Sequence, residues 1–263
     1  GYFALDDITS GASNVAIGLG ALSANTTADH NTAVGPSAMA ANTTGTANVS
    51  FGSLSLDANT SGSYNTAIGY GTLTSNTTGH DNTACGINSL AANTTAHYNT
   101  AFGAGALEGC TTGEYNVAVG NIAMDAANMT GNFNTAIGRS ALGANTSGSS
   151  NCAVGINVLG GNTTGNTNCA MGDSALDANT TGSNNVAIGK NALGAATTAH
   201  QNTACGNIAL TVLTTGASNA AFGGNAGGAC TTGNGNAFIG DSAGYGNTTG
   251  YANTFVGSAA GAY

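Results

Sequence analysis

Six cysteines, four histidines and eleven acidic side chains are the groups in this 263-residue chain that could do chemistry. The cysteines carry the strongest spacing signal. Cys85 and Cys110 lie 25 residues apart, Cys205 and Cys230 repeat that interval, and Cys152 precedes Cys169 by 17. The duplicated interval predicts three bridges, Cys85–Cys110, Cys152–Cys169 and Cys205–Cys230, and with them an oxidising, extracellular setting. The competing reading is cysteine as a small buried hydrophobe. His30, His80, His97 and His200 each stand one or two residues ahead of an asparagine. They would share one corner of the fold, which raises metal binding or pH sensing. Tyr64, Tyr98, Tyr115 and Phe133 occupy the same corner, however, so solvated corner residues are the better reading. Asp57, Glu108, Asp125 and Asp177 recur at one place in the pattern without the dense Asp spacing of calcium-binding nonapeptides. The Gly-rich turns lack the lysine and helix of a phosphate loop. With no catalytic constellation, the chain is expected to be neither an enzyme nor a holder of cofactor or metal.

What must position these groups is a repeat. Asn-(Thr/Val)-Ala-(hydrophobic)-Gly, with a few substitutions, begins at Asn14, Asn31, Asn48, Asn65, Asn82, Asn99 and Asn116, then at Asn134, Asn151, Asn168, Asn185, Asn202, Asn219, Asn236 and Asn253. The step is 17 residues except for one of 18, between Asn116 and Asn134. Such a period predicts an all-β chain, a single parallel β-solenoid (β-roll) of about 15 coils that fills residues 1–263. A partial coil covers 1–13, full coils run from 14, and 253–263 is an incomplete last coil.

With the asparagine as position 1, one coil reads N-T-A-I-G-x-x-A-L-x-A-N-T-T-G-x-x. Positions 2–4 and 8–12 are predicted strands, with corners at 5–7 and 13–17. Large side chains at position 4 (Ile17, Val34, Phe51, Ile68, Phe102, Val119, Ile137) are expected to face inward and meet Leu22, Met39, Leu56, Leu73 and Leu90 of position 9. Alanine at position 3 then forms a flat outer face. The fifteen position-1 asparagines are expected to stack as a hydrogen-bonded ladder, and the glycine at position 5 to need positive φ or close backbone approach. Position 15 tolerates Ala28, Ala96 and Ala199, so that corner needs smallness more than positive φ. Asn-x-Ser/Thr sequons fall almost entirely at position 12, where a ladder outweighs glycosylation. The threonine column at position 13 leaves ice binding as a minor alternative.

Only two residues are basic, and the net charge of −9 argues against nucleic acid and anionic membrane as partners. No apolar run is long enough to span a bilayer. The slender, Ala-rich core predicts that other copies cover an outer face. Position 9 turns from leucine to glycine at Gly227, Gly244 and Gly261, while Phe238 and Phe255 replace the alanine of position 3. That end, together with Gly1, Tyr2, Phe3 and Tyr263, is the expected subunit contact. The chain opens on Gly1 rather than Met, as expected after removal of a leader or for part of a longer sequence.

The pentads Asn14-Val15-Ala16-Ile17-Gly18 and Asn185-Val186-Ala187-Ile188-Gly189, each followed by x-x-Ala, resemble the head repeats of YadA-like trimeric autotransporter adhesins. Similar repeats occur in phage tail-fibre proteins. The resemblance implies a left-handed parallel β-roll, packing of three chains, inward hydrophobics at positions 2 and 4, and binding of host matrix or cells. The 17-residue period, against about 14 in that family, and the cysteines depart from its pattern. The expected function is an extracellular structural protein, the subunit of a self-associating β-solenoid filament built through its ends and flat faces. The alternative is an adhesin head or tail-fibre module that binds a surface receptor.

Overall fold

The computed structural model describes residues 1–262, and Tyr263 lies outside them. The described residues form an all-β solenoid of fifteen three-residue strands. They fall into two compact units, Gly1–Phe133 and Asn134–Tyr263, divided at the one 18-residue step. The first unit holds β1 (Val15–Ile17) through β7 (Val117–Val119), and the second holds β8 (Thr135–Ile137) through β15 (Thr254–Val256). Within each unit successive strands pair in parallel, with residues 17 apart opposite one another, as in Val15↔Thr32, Ala16↔Ala33 and Ile17↔Val34. The predicted β-solenoid is the fold observed.

The parity of the strand differs from the expectation. Ala33, Ala67, Ala84 and Ala101 at position 3 are fully buried, whereas Ile17, Phe51 and Phe102 at position 4 are 59, 57 and 45% exposed. Side chains alternate across a strand, so an inward position 3 sends positions 2 and 4 outward together. The reason for this choice lies opposite the strand. Leu22, Met39, Leu56, Leu73 and Leu90 at position 9 all point inward and are fully buried. They leave room beneath them for the side chain of alanine or, at Ser50, serine.

The second predicted strand does not form; positions 6–11 are turns. Position 9 adopts a left-handed backbone even as leucine, with φ of 51° at Leu56 and Leu73 and 53° at Leu90. A side chain in that region costs about 1–2 kcal/mol. Bonds between coils offset the cost: Leu22 N–H donates to the Ala38 carbonyl at 3.0 Å, and Ala24 N–H to the Ala40 carbonyl at 3.1 Å. At position 5, Gly18 and Gly35 (both φ 136°) lie so close to the next coil that a Cβ would stand 2.4 and 2.6 Å, respectively, from a backbone oxygen. Only glycine fits there.

Where leucine is absent, the core is filled from the other side. Phe238 is fully buried, and a Cβ on Gly244 would lie 2.0 Å from its ring. Gly261 stands in the same relation to Phe255. Phe238 is therefore a core residue that exchanges volume with position 9, which overturns its expected role as a subunit contact.

These facings predict opposite outcomes for two truncations in the first unit. Leu90→Ala should cost about 2–5 kcal/mol in denaturant unfolding, as for other buried leucines. Ile68→Ala, two-fifths exposed, should cost less than about 1 kcal/mol. Equal losses would reverse the assignment.

Candidate functional site

The position-1 asparagines form the predicted ladder. Asn48 is representative: its backbone N–H donates to Asn31 Oδ1 at 2.9 Å, its Nδ2 donates to the same oxygen at 3.2 Å, and its Nδ2 also reaches the Gly62 carbonyl at 2.8 Å. A second ladder runs at position 12, where Asn59 Nδ2 donates to Asn42 Oδ1 and to that same Gly62 carbonyl, both at 2.9 Å. Two amides thus converge on one carbonyl at the position-15 corner. Sequons at Asn25, Asn42, Asn48, Asn59, Asn76, Asn93, Asn145, Asn162 and Asn179 are buried in these ladders. Asn247 is half-buried, and Asn128 is exposed. The added residue places it in a left-handed corner (φ 58°) and hands position 12 to the buried Met129, which bridges to Cys110. At position 13 the hydroxyls of Thr43, Thr60 and Thr77 donate to carbonyls of the next coil at 3.0–3.1 Å. That column serves the stacking and offers no free row of donors.

All six cysteines are free thiols. Cys85 and Cys205 sit at position 4 on the outer face, while Cys110 and Cys230 are fully buried at position 12. Cys110 Sγ points to the Gly113 carbonyl at 3.4 Å, taking the place of an asparagine amide. The expected bridges Cys85–Cys110 and Cys205–Cys230 are overturned, because their partners stand on opposite sides of the coil wall. Cys152 and Cys169 are different: they are in register on the adjacent strands β9 (Cys152–Val154) and β10 (Cys169–Met171), and both face outward. Burial pushes the Cys110 thiol up to about 12 and raises Cys230 as well, in each case against the smaller lowering influence of a backbone hydrogen bond at Gly113 and Gly233 respectively.

At position 16 the column is one of acceptors. The backbone N–H of Glu114 donates to Asn132 Oδ1 at 2.7 Å, that of Thr46 to the Ser63 hydroxyl at 3.0 Å, and that of His80 to His97 Nδ1 at 3.0 Å. Accepting this bond fixes His97 as the neutral tautomer with its proton on Nε2. Its ring stacks on His80 at 3.7 Å, and His80 Nδ1 in turn contacts Asp81 Oδ2 at 2.8 Å. Desolvation first, and then the charge of His80, lower the His97 pKa, against the raising influence of Glu114 and Asp81. At position 17, Tyr98 stacks on Tyr115 and Tyr115 on Phe133, at 4.8 and 5.1 Å. His30 and His200 are both exposed.

At position 10, burial raises the carboxyls of Asp57, Asp125 and Asp177. Among the described residues no three His, Cys, Asp or Glu side chains converge in a way that could hold a metal ion. Gly1, Tyr2 and Phe3 are exposed, Tyr2 and Phe3 edge to face at 4.6 Å, and Phe255 is half-buried against Phe238. The expected contact at Tyr263 lies outside the described residues. Comparison with known proteins found no matching family model, no similar curated protein and no similar solved structure.

Two measurements check this geometry. The lowered His97 pKa means that the folded state favours the neutral ring. Its contribution is complete above the ordinary histidine value of about 6.5 and is lost as pH falls through that value and below. The melting temperature should drop between pH 7.5 and 5, and His97→Asn, which keeps an acceptor at the same place, should flatten that drop. Thiol labelling of the native protein should modify Cys169 and spare Cys110 and Cys230. A mild oxidant should join Cys152 to Cys169, a pairing that peptide mapping resolves from any other.

Proposed function

We propose that this chain is an extracellular structural protein, a β-solenoid subunit that associates with further copies of itself into a fibre. The observation that carries this reading is the outward row at position 4. In the first unit it runs Ile17, Val34, Phe51, Ile68, Cys85, Phe102 and Val119, every one apolar. In the second it runs Ile137, Val154, Met171, Ile188, Cys205, Phe222, Ile239 and Val256. A half-exposed phenylalanine shows roughly 100 Å², so seven or eight such side chains expose on the order of 500 Å² per unit. That equals the largest apolar patch of an ordinary monomer before the valines of position 2 are added. Position 2 adds Val15, Val49 and Val117 to the strip of the first unit and Val186 to that of the second.

The occupant favoured is a second copy of the chain. The strip carries no charged side chain at positions 2 or 4, so two strips meet without burying an unpaired charge. Two basic residues in 263 leave trypsin few cleavage sites, a property suited to an exposed filament. Tyr2 and Phe3 add an exposed apolar contact of their own. Binding of a surface receptor, the adhesin or tail-fibre role, is the second reading, and the cleft described below favours it.

Light scattering coupled to gel filtration, followed by negative-stain microscopy, tests the proposal. The wild-type chain should run as an oligomer and form elongated particles. The double variant Phe51→Asp, Phe102→Asp should run as a monomer with an unchanged circular dichroism spectrum, since both side chains lie outside the core. A wild-type chain that stays monomeric at high micromolar concentration would rule the proposal out.

A further inference from the structure

Among the described tyrosine and phenylalanine rings of the position-17 column, Tyr64 alone has no other ring stacked on it. Tyr98, Tyr115 and Phe133 cover one another's faces. Tyr64 stands between Ala47 and Asp81, one coil away on either side, and is 62% exposed. Beside it lies a cleft of about 240 Å³, lined by Ser61, Ser63, Tyr64, Thr78, His80 and Asp81.

The polar groups of this cleft are disposed for a ligand rich in hydroxyls. Among the described residues the hydroxyls of Ser61 and Thr78 have no protein partner, and that of Ser63 reaches the Ser61 carbonyl only at 3.5 Å. Ser63 Oγ accepts the Thr46 N–H at 3.0 Å, which holds it in place. His80 is fixed by its stack on His97 and by its contact with Asp81 Oδ2, so Asp81 retains its other oxygen as an acceptor. The cleft therefore offers one open aromatic face, three hydroxyls that can donate or accept, and one carboxylate oxygen.

Three ligand classes fit poorly. A phosphate or acidic sugar would meet Asp81 in a chain of net charge −9 and would find neither lysine nor arginine in the cleft. A purely apolar molecule would desolvate the carboxylate and hydroxyls without replacing their bonds to water. A cation would find a single carboxylate, already shared with His80. A neutral sugar ring matches each group in turn. Its C–H face lies on the electron-rich face of Tyr64, as the edge of an aromatic partner would. Its hydroxyls donate to Asp81 in charge-assisted bonds and exchange neutral ones with the serines and Thr78. We propose that this cleft binds one neutral hexopyranose unit of a glycan. The site lies on the position 14–17 corner, away from the position-4 strip, so it remains open in an assembled fibre.

Saturation-transfer NMR with the methyl glycosides of glucose, galactose and mannose tests the proposal on the intact chain. At least one glycoside should receive saturation, with a millimolar Kd and with its ring C–H protons, rather than the methyl group, most strongly saturated. Tyr64→Ala and Asp81→Asn should each weaken binding at least tenfold, while Phe133→Ala, on the same column but outside the cleft, should leave it unchanged. Tyr64 and Asp81 are surface residues, and an unchanged circular dichroism spectrum would show that both variants fold. Absence of transfer to all three glycosides would overturn the proposal, as would equal transfer in the Tyr64→Ala protein.

Discussion

One oxygen atom per coil constrains everything else: Oδ1 of the position-1 asparagine. It accepts both the backbone N–H and the side-chain Nδ2 of the asparagine 17 residues later, as Asn48 Oδ1 does from Asn65 at 2.9 and 3.2 Å. The Nδ2 that donates upward also closes its own coil, through the carbonyl 14 residues ahead. Aspartate would lose the donor and stack charge on buried charge. Glutamine would place the amide one methylene too far out. A buried polar atom left without its partner costs about 1–3 kcal/mol, so each rung is satisfied only if its neighbours carry the same residue. The strict internal period follows from that mutual dependence.

Position 12 shows what happens when the dependence is looser. Its ladder runs from Asn25 to Asn93 and again from Asn145 to Asn179, and buried Cys110, Met129, Ala196, Leu213 and Cys230 stand elsewhere in the column. Each asparagine there donates to the oxygen of the preceding one, so the last oxygen of a run has no donor above it. Among the described residues, Asn93 Oδ1 and Asn179 Oδ1 are the two buried side-chain atoms without a partner, and each lies directly before an apolar replacement. The cost of one orphaned acceptor per run limits how often the column can switch between amide and hydrocarbon. At position 1, where the backbone N–H also depends on the amide, no switch occurs.

Much of this was legible in the sequence, and what was not has a common cause. The period gave the solenoid, the unbroken asparagines gave the ladder, and position 9 gave half of the core. Strand parity was misread, because Ile68 and Phe102 are larger than Ala67 and Ala101 and size was taken as the sign of burial. The packing partner decides instead: a leucine folded back over a three-residue strand fills the space that position 4 was expected to fill. That leucine was itself hidden, since nothing in Ala-Leu-x-Ala-Asn signals a left-handed backbone. The two cysteine pairings across 25 residues failed with the parity, as Cys85 and Cys110 face opposite ways only once position 3 is known to point inward. The acceptor column at position 16 went unread because Asp, Ser, Asn and His share no composition, only a lone pair.

The inverted pairs show how independent the two sides of the wall are. Exchanging Ala and Leu for Phe238 and Gly244 keeps the core volume nearly constant while large and small residues change places. Inside, side-chain size is therefore coupled, with Phe238 filling the space beside Gly244 of its own coil and Gly227 of the coil before. Outside, no such coupling operates: position 4 passes from Phe51 to Ile68 to Cys85 to Phe102 with no compensating change elsewhere in the coil. A row free of internal partners could vary at random and still leave each coil folded. On the self-association reading the variation has a use. Identical coils would let two strips slide by one rung at no cost, whereas phenylalanines set against cysteines and valines fit in few alignments. The same irregularity that makes the row a poor core makes it able to fix register between copies.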